Sequence, residues 1–254
     1  MVDELLRHLR ESHTPEAIRE RLEMKPAHSY LRDFVYGAID GIVTTFAVVA
    51  GVIGANLSAG IVVILGLANL VGDGFSMAVG NFVSTRTERQ QKEKARDRER
   101  NHIATFPEGE KEEVRQIFAK KGFKGVDLEK AVKIITADEK LWEETMLKEE
   151  LGMTLESPSP SKAALSTFAA FVLFGSLPIL TFVYEVVTHV HLSRPFFYSS
   201  VLTGIAFFTV GAVKGRFVTE RWYLAGLETL AIGGVASGLA YLIGYLLKDI
   251  VGRV

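Results

Sequence analysis

The amino-acid sequence predicts an all-α integral membrane protein with five transmembrane helices and a helical domain inserted between the second and the third. A bilayer core about 30 Å thick takes about 20 helical residues to cross, and five apolar stretches have about that length. They cover roughly 34–55, 59–84, 163–187, 196–213 and 225–247. The charged side chains are concentrated instead in about 86–156, so the averages of 48% hydrophobic residues and net charge −1 conceal two different environments.

The same pattern divides the chain into four segments. They are an amphipathic N-terminal helix (1–32), spans 1 and 2 (33–85), a charged helical domain (86–160, called the insert below) and spans 3 to 5 (161–254). The N-terminal helix is expected either to lie along the membrane surface or to cap the insert, and the sequence favours neither.

The insert is predicted to begin as a direct continuation of span 2. No proline occurs between residues 59 and 103, and the last glycine there is Gly80, so nothing ends the helix at the membrane edge. We expect one long helix that leaves the membrane as a charged stalk and ends at Phe106-Pro107. Three further helices are predicted over about 108–121, 127–137 and 138–151, followed by a linker at 157–160.

The placement of basic residues predicts the orientation. Lys and Arg are concentrated in the N-terminal segment, in the run 86–100 and in the span 4–5 loop, whereas the loops 56–58 and 188–195 hold only Arg194. Because cytoplasmic loops carry an excess of Lys and Arg, we expect the N-terminus and the insert in the cytoplasm and the C-terminus outside. The near-zero net charge argues against nucleic acid as a partner.

Two acidic residues lie inside predicted spans, and they are the strongest functional signal. Asp40 lies in span 1 and Asp73 in span 2. A carboxylate in hydrocarbon costs at least about 2.5 kcal/mol, so a bound cation, a proton or a wet cavity is needed to offset it. The default interpretation is an ion pathway through the membrane.

Further polar groups accompany these carboxylates. Asn69, Asp73, Met77 and Asn81 recur every four residues along span 2 and form one stripe. On span 1, Thr44 lies on the same helix face as Asp40, and the helical rise allows Asp40 and Met77 to share a depth. Oxygen donors next to a thioether suit a borderline transition metal better than Mg²⁺ or Ca²⁺. Alternatively, Met77 fills a packing gap and the Asn residues hydrogen-bond across helices.

The insert contains three pairs of potential ligands, each spaced to share a helix face. They are Glu99 with His102, Glu110 with Glu113, and Met146 with Glu150. Carboxylates and an imidazole at such spacing are typical of metal sites in helical bundles. A solvated charged surface is the alternative interpretation.

Several motifs resemble those of the vacuolar iron transporter family, whose members move ferrous iron out of the cytosol in exchange for protons. In spans 1 and 2 they are 36–44 (YGAIDGIVT) and 74–80 (GFSMAVG). The resemblance continues in the insert with Pro107, Glu110, Glu113, Met146 and 150–152 (ELG), and in span 5 with 226–228 (GLE) and 232–233 (IG).

The resemblance implies a homodimer with five spans in each subunit and a metal path at the dimer interface. Asp40 and Met77 match the family's intramembrane metal positions. The positions that match its cytoplasmic metal ligands are Glu99, Glu110, Glu113, Met146 and Glu150. Glu228, near the start of span 5, either extends to the membrane edge or relays protons, and the resemblance favours the relay.

Three positions depart from the family pattern. Asn81 stands where the family usually has an acidic residue, and in this chain an acid occurs two turns earlier, at Asp73. His102 replaces a usual Glu, and Leu147 replaces a usual second Met. These departures leave a divalent-cation site in place and bear on which ion it prefers.

The sequence therefore predicts a transporter that moves Fe²⁺ out of the cytoplasm by exchange with protons, with Mn²⁺ as a second candidate. Its partners would be the metal ion, protons, the lipid bilayer and a second copy, and no covalent cofactor is expected. A metal-sensing or iron-storage membrane protein without transport is the alternative. An enzyme is not expected, because the chain has no cysteine and no predicted span places a histidine at membrane depth.

Overall fold

The computed structural model describes residues 2–23, 29–217 and 220–251, and in this part of the chain every regular element is helical. The remaining residues include parts of the predicted segments 1–32 and 161–254. The helices before and within the insert are α1 (Val2–Ser12), α2 (Pro15–Glu23), α3 (Leu31–Gly54), α4 (Ala59–Thr105), α5 (Pro107–Lys120), α6 (Gly125–Thr136) and α7 (Glu139–Thr145). The later helices are α8 (Pro160–Gly175), α9 (Leu180–Thr188), α10 (Pro195–Phe217) and α11 (Trp222–Val251).

Five helical segments of the described residues are long and apolar enough to cross a membrane. They are α3, α4, the α8–α9 pair (Pro160–Thr188), α10 and α11. Their order and positions confirm the five predicted spans and a membrane protein. Helices α10 and α11 extend beyond the predicted spans of 196–213 and 225–247, because amphipathic and charged residues continue each helix past its apolar stretch.

Helix α3 lies at the centre of the bundle and packs against α4, α8, α10 and α11. Gly37 and Gly41 permit this, because a Cβ at Gly41 would come within 2.9 Å of the Phe171 Cα on α8, and one at Gly37 would meet the Thr167 backbone. Small residues allow such close helix contact in lipid. The close approach beside Asp40 is therefore made by another helix of the same chain.

The third span is interrupted in its middle. Between α8 and α9 the residues Leu177–Ile179 form one turn of 3₁₀ helix, because Pro178 has no N–H to continue the α-helical pattern. The Ser199 hydroxyl of α10 donates to the Pro178 carbonyl at 2.6 Å. A neighbouring helix thereby hydrogen-bonds to the backbone at the interruption.

Helix α4 is the longest element and joins the bundle to the insert. Its 47 residues span about 70 Å at 1.5 Å per residue. It ends at Phe106, and Pro107 starts α5, as predicted. The last part of α4, residues 85–105, is called the stalk below.

The helices of the insert fold back onto the stalk around a small hydrophobic core. The buried members of this core are Ile103, Val114, Val132, Ile135, Trp142 and Met146. The predicted helix over 138–151 is divided, because α7 gives way to a π-helical turn at Met146–Glu150. A π turn inside a helix changes the direction of its side chains and is frequent at functional sites.

Residues 2–23 of the N-terminal segment form two helices, where the sequence predicts one. Pro15 occupies the first turn of α2, and the Thr14 hydroxyl accepts a hydrogen bond from the Ala17 amide at 3.2 Å. This is the pattern of a new helix start. No residue of α2 is buried.

Candidate metal-binding sites

Three predicted ligands of the insert come together where the stalk meets α5. Glu99 and His102 lie on the last turns of α4, and Glu110 lies on the first turn of α5 beyond the Pro107 break. One potential ligand atom from each lies within 4.8 Å of the other two. The His102 Nδ1 and the Glu110 Oε1 are 3.3 Å apart. This spacing allows one cation to contact all three side chains.

Two of these carboxylates are buried, which is unusual for Glu. Glu99 is 1% exposed and Glu110 is 6% exposed. The Nε and Nη2 atoms of Arg98 both lie 3.2 Å from the Glu99 Oε1 and donate to it. The Glu110 Oε2 is buried, and within the described residues no hydrogen-bond donor reaches it. A buried oxygen without a partner is costly, and a bound cation would remove that cost.

Glu113 and Glu150 belong to the same electrostatic cluster. Burial raises the pKa of Glu110, and the neighbouring Glu113 and Glu99 raise it further, whereas His102 opposes them. Burial also raises the pKa of Glu150, with Glu99 and Glu113 adding to the effect. Glu99, Glu110, Glu113 and Glu150 therefore form a site of concentrated negative charge, and a divalent cation is a species that neutralises it.

Met146 lies in the hydrophobic core of the insert and is fully buried, in the same cluster as Ile103 and Val114. It is the first residue of the π turn, and Glu150 is the last. The turn therefore connects the core of the insert to its acidic cluster.

An ion-pair cluster around the buried carboxylate of Glu143 fastens α7 to the stalk, and it was not predicted from the sequence. Glu143 is 4% exposed and lies 2.6 Å from the Arg96 Nε and 2.6 Å from the Arg100 Nε. The spacing of Arg96 and Arg100 was visible as an i, i+4 pair. Their shared partner, more than forty positions away, carried no local signal.

In the membrane bundle, two hydrogen-bonded pairs define the register of the antiparallel helices α3 and α4. The Asn81 Nδ2 donates to the Asp33 Oδ1 at 2.8 Å, and the Asn69 Nδ2 donates to the Thr44 Oγ1 at 3.2 Å. Asp40 lies between these pairs along α3. Counting residues from the first pair places it beside Gly74 and from the second beside Asp73, so Asp40 and Asp73 lie at about the same depth, with Met77 about one turn nearer the stalk.

The two intramembrane carboxylates differ in their surroundings. Asp40 is half-buried and interacts electrostatically with Asp73 across α3 and α4, whereas Asp73 is exposed on the outer face of α4. Its neighbours Val71 and Phe75 are exposed as well, at 68% and 65%. Met77 is partly buried and packs against a core that includes Phe171.

The remaining polar residues of the predicted stripe have hydrogen-bond partners within the bundle. The Thr44 hydroxyl donates to the Asp40 carbonyl at 2.9 Å and accepts from Asn69, which also donates to the Thr45 hydroxyl at 3.1 Å. Asn81 donates to the Thr167 hydroxyl of α8 at 2.7 Å as well as to Asp33. Both Asn residues therefore bond across helices, and the sequence analysis did not identify Asp33 as a partner.

Glu228 on α11 pairs with a lysine on the preceding helix. The Lys214 Nζ lies 3.2 Å from the Glu228 Oε2, and both side chains are partly exposed. Pairing of opposite charges lowers the cost of placing either one near the membrane edge.

Comparison with known proteins identifies relatives over nearly the whole chain. The sequence model of the VIT family matches residues 31–245. A vacuolar iron transporter of Toxoplasma gondii is 35% identical over 229 residues, which cover 88% of this chain and 76% of the relative. Vacuolar iron transporter 1 of Arabidopsis thaliana is 32% identical over 218 residues, 85% of each chain. Vacuolar iron transporter 2 of Oryza sativa subsp. japonica is 32% identical over 218 residues, 85% of this chain and 86% of the relative.

Proposed function

Because the chain belongs to the VIT family, we propose that it is a transporter that carries a divalent transition metal, first of all Fe²⁺, out of the cytoplasm. The match confirms the family resemblance inferred from the motifs of spans 1 and 2. The named relatives are vacuolar iron transporters, which supports metal transport into a compartment. Mn²⁺ is the second candidate ion.

One observation carries the proposal beyond family membership: Glu99, His102 and Glu110 bring their ligand atoms within 4.8 Å of one another, with two carboxylates buried. Carboxylate oxygens suit Mg²⁺, Ca²⁺ and Mn²⁺, and imidazole nitrogen suits Fe, Zn, Cu and Ni. A mixed set of this kind favours a borderline ion such as Fe²⁺ or Mn²⁺. We assign capture of the ion to this cluster, with Glu113, Glu150 and Met146 as further ligands.

The proposed path then passes through the bundle at the level of Asp40. Asp40, Asp73 and Met77 would offer successive oxygen and sulfur ligands, and Thr44 and Asn81 would hold the neighbouring helices in register through their hydrogen bonds. Protonation of the carboxylates on the far side would release the ion, which makes the transport an exchange with protons. Glu228, paired with Lys214, is the proposed proton relay.

We infer a homodimer, and the exposure of Asp73 supports it. A charged side chain on an outer face of the bundle, flanked by exposed apolar residues, would contact lipid in a single chain. Contact with lipid is costly for a carboxylate, and a second copy packed on this face would remove it. The metal path would then run along the interface, with the N-terminus and the insert in the cytoplasm.

The test is metal flux into proteoliposomes with Fe²⁺, Mn²⁺, Co²⁺ and Zn²⁺ measured in parallel across an imposed pH gradient. Saturable Fe²⁺ movement that stops when the gradient is collapsed supports proton-coupled iron transport. Equal flux with and without the gradient would disprove proton exchange while leaving transport in place.

A metal-sensing or storage protein is the second candidate, and the insert favours it, since Glu99, His102 and Glu110 form a complete group without any membrane residue. It predicts that the full-length protein binds Fe²⁺ and that no ion enters the vesicles. We propose no covalent reaction for either candidate.

A further inference from the structure

A polar cavity lies along the stalk, lined by residues outside the candidate metal sites. It has a volume of about 330 Å³ and is formed where the linker after the π turn passes along α4. The stalk contributes Arg89, Lys92, Glu93 and Arg96 to its wall, and the linker contributes hydroxyls from Thr154 and Ser157. Neither the candidate metal sites nor the transport path uses this cavity.

The wall of the cavity carries more positive than negative charge. Arg89 is paired with Glu93, with 3.0 Å between the Arg89 Nε and the Glu93 Oε1. The Lys92 Nζ donates to the Thr154 hydroxyl at 2.8 Å and to the Glu156 carbonyl at 2.5 Å, both of which are neutral acceptors. These contacts hold the ammonium group in place, and neither accepting atom carries a charge.

Arg96, the third basic residue of the cavity wall, shares its acidic partner with Arg100. Arg96 and Arg100 both pair with the single carboxylate of Glu143, and the Arg100 Nη1 also lies 3.6 Å from the Asp97 Oδ1, so the Arg96 guanidinium shares its counter-charge with a neighbour. Guanidinium, ammonium and hydroxyl donors converging on one cavity match the acceptor oxygens of a phosphate group. The cavity is therefore built for an anion.

The height of the cavity above the membrane indicates the source of the anion that it would bind. Arg89 lies five residues beyond Ser84, the predicted edge of span 2, which is about 7.5 Å along a helix, and Arg96 lies about 18 Å beyond it. The headgroup layer on each side of a bilayer is roughly 5–8 Å thick. The Arg89 end of the cavity thus lies at headgroup depth, and clusters of basic residues next to a membrane helix attract anionic lipids.

We propose that this cavity binds a phosphate group, supplied by the headgroup of an anionic phospholipid. Binding would bridge the stalk and the linker next to Leu147, which adjoins the cavity and follows Met146 in the π turn. The lipid would thereby brace the segment that carries the proposed metal ligands. The site is independent of metal transport and is tested without it.

The experiment measures binding to the purified full-length protein in detergent with three probes at matched concentrations. They are dioctanoyl phosphatidylinositol phosphate, dioctanoyl phosphatidylcholine and inorganic phosphate. We expect saturable binding of the first, detected as a rise in the unfolding temperature, and none of the second. Saturable binding of inorganic phosphate at the same affinity as the lipid would support the anion site and overturn the lipid as its source.

Variants test whether the cavity is the place of binding. Lys92→Gln should weaken binding of the anionic lipid about fivefold, the factor that corresponds to about 1 kcal/mol per basic residue, and Arg89→Gln with Lys92→Gln about 25-fold. Lys92→Arg keeps the charge and should retain binding. Lys94→Gln is the matched control, because Lys94 is exposed on the same helix and outside the cavity wall. Equal weakening by Lys92→Gln and Lys94→Gln, or no saturable binding of either phosphate probe, would overturn the proposal.

Discussion

Acidic side chains cluster both in the insert and in the membrane bundle, but they are buried in the insert and more exposed in the bundle. In the insert, Glu99 and Glu110 are buried against the stalk and lie together with His102 inside one chain. In the bundle, Asp40 is half-buried and Asp73 faces outward. The first group is assembled within one chain, whereas Asp73 of the second group lies on an exposed face, so a single chain completes the first group further than the second.

The physical origin of this difference is the solvent around each region. In the proposed topology the insert lies in water, where a small core can surround a carboxylate with protein and leave the remaining atoms hydrated. A single helix in a bilayer has only neighbouring helices on one side and hydrocarbon on the other. Charged groups there must be completed by a further helix, a cation or a proton.

The largest expected effect separates transport from capture. Asp40→Ala should reduce metal flux in proteoliposomes by about 100-fold or more, because no other carboxylate of α3 lies at the depth of Asp73 and Met77. Metal binding to the full-length protein at the insert should change by less than twofold. Asp249→Asn, at the end of α11, is the control acid. Normal flux in Asp40→Ala would disprove the proposed path.

The second-largest effect is expected at the group of potential ligands in the insert, Glu99, His102 and Glu110. Glu110→Gln replaces one carboxylate oxygen with an amide NH2 and removes the negative charge of a group whose Oε2 has no partner among the described residues, and it should weaken metal binding roughly 10- to 100-fold. Flux should fall at low metal concentration and recover at saturation, since the path through the bundle is intact. Glu112→Gln is the matched control, because Glu112 is exposed on the same helix and pairs with Arg115. Unchanged metal affinity in Glu110→Gln would mean that Glu110 has a structural role and does not bind the metal.

The third effect tests the ion-pair cluster that fastens α7 to the stalk. Glu143→Ala leaves Arg96 and Arg100 without their shared carboxylate, and we expect a loss of about 2 kcal/mol in local stability, less than for a fully buried pair because both arginines are partly exposed. Hydrogen exchange of the α7 amides should accelerate about 30-fold. Glu144→Ala, whose contact with Lys140 is a distant surface pair, should leave the exchange rate unchanged. Equal acceleration in both variants would mean that the cluster does not hold α7.

The smallest effect is a pH dependence of capture. The pKa values of Glu110 and Glu150 are raised above the ordinary 4.5, so these groups take up protons at a pH where ordinary carboxylates are still ionised. A cation must displace those protons, so its affinity should fall as the pH falls toward the raised values, by up to about tenfold per pH unit and proton. Calorimetric titration of the full-length protein at several pH values measures this slope. Glu110→Gln should make the affinity depend less steeply on pH. An equally steep dependence in that variant would mean that the cation displaces its proton from a group other than Glu110.

The same pKa shifts have a consequence for stability without metal. Below pH 4.5 both groups are protonated in the folded and the unfolded chain, and above it the unfolded chain loses these protons first. The folded state therefore binds more protons in the window between 4.5 and the raised values, and its stability declines as the pH rises through that window. Added cation should restore the lost stability, because it neutralises the same carboxylates.

Much of the architecture could be predicted because it depends on local properties of the chain. Hydrocarbon thickness converts apolar length into spans, so the five spans follow from composition alone. Proline placement predicts the boundary at Pro107, since the ring prevents the stalk from continuing. The π turn at Met146 and the 3₁₀ turn at Leu177–Ile179 were not predicted, because tertiary packing determines whether a helix adjusts its winding or ends.

The contacts at the candidate sites also divide into those that the sequence predicts and those that depend on tertiary packing. Helical periodicity by itself determined that Glu99 and His102 share a face, and that Asp40 lies near Thr44, because neighbours within one helix are set by 3.6 residues per turn. Only the tertiary structure decided that Glu110 closes on His102, that Asn81 binds Asp33, and that Arg96 and Arg100 share Glu143. Contacts between separate helices depend on how whole faces pack, and that packing reflects many residues at once, so no short motif encodes it.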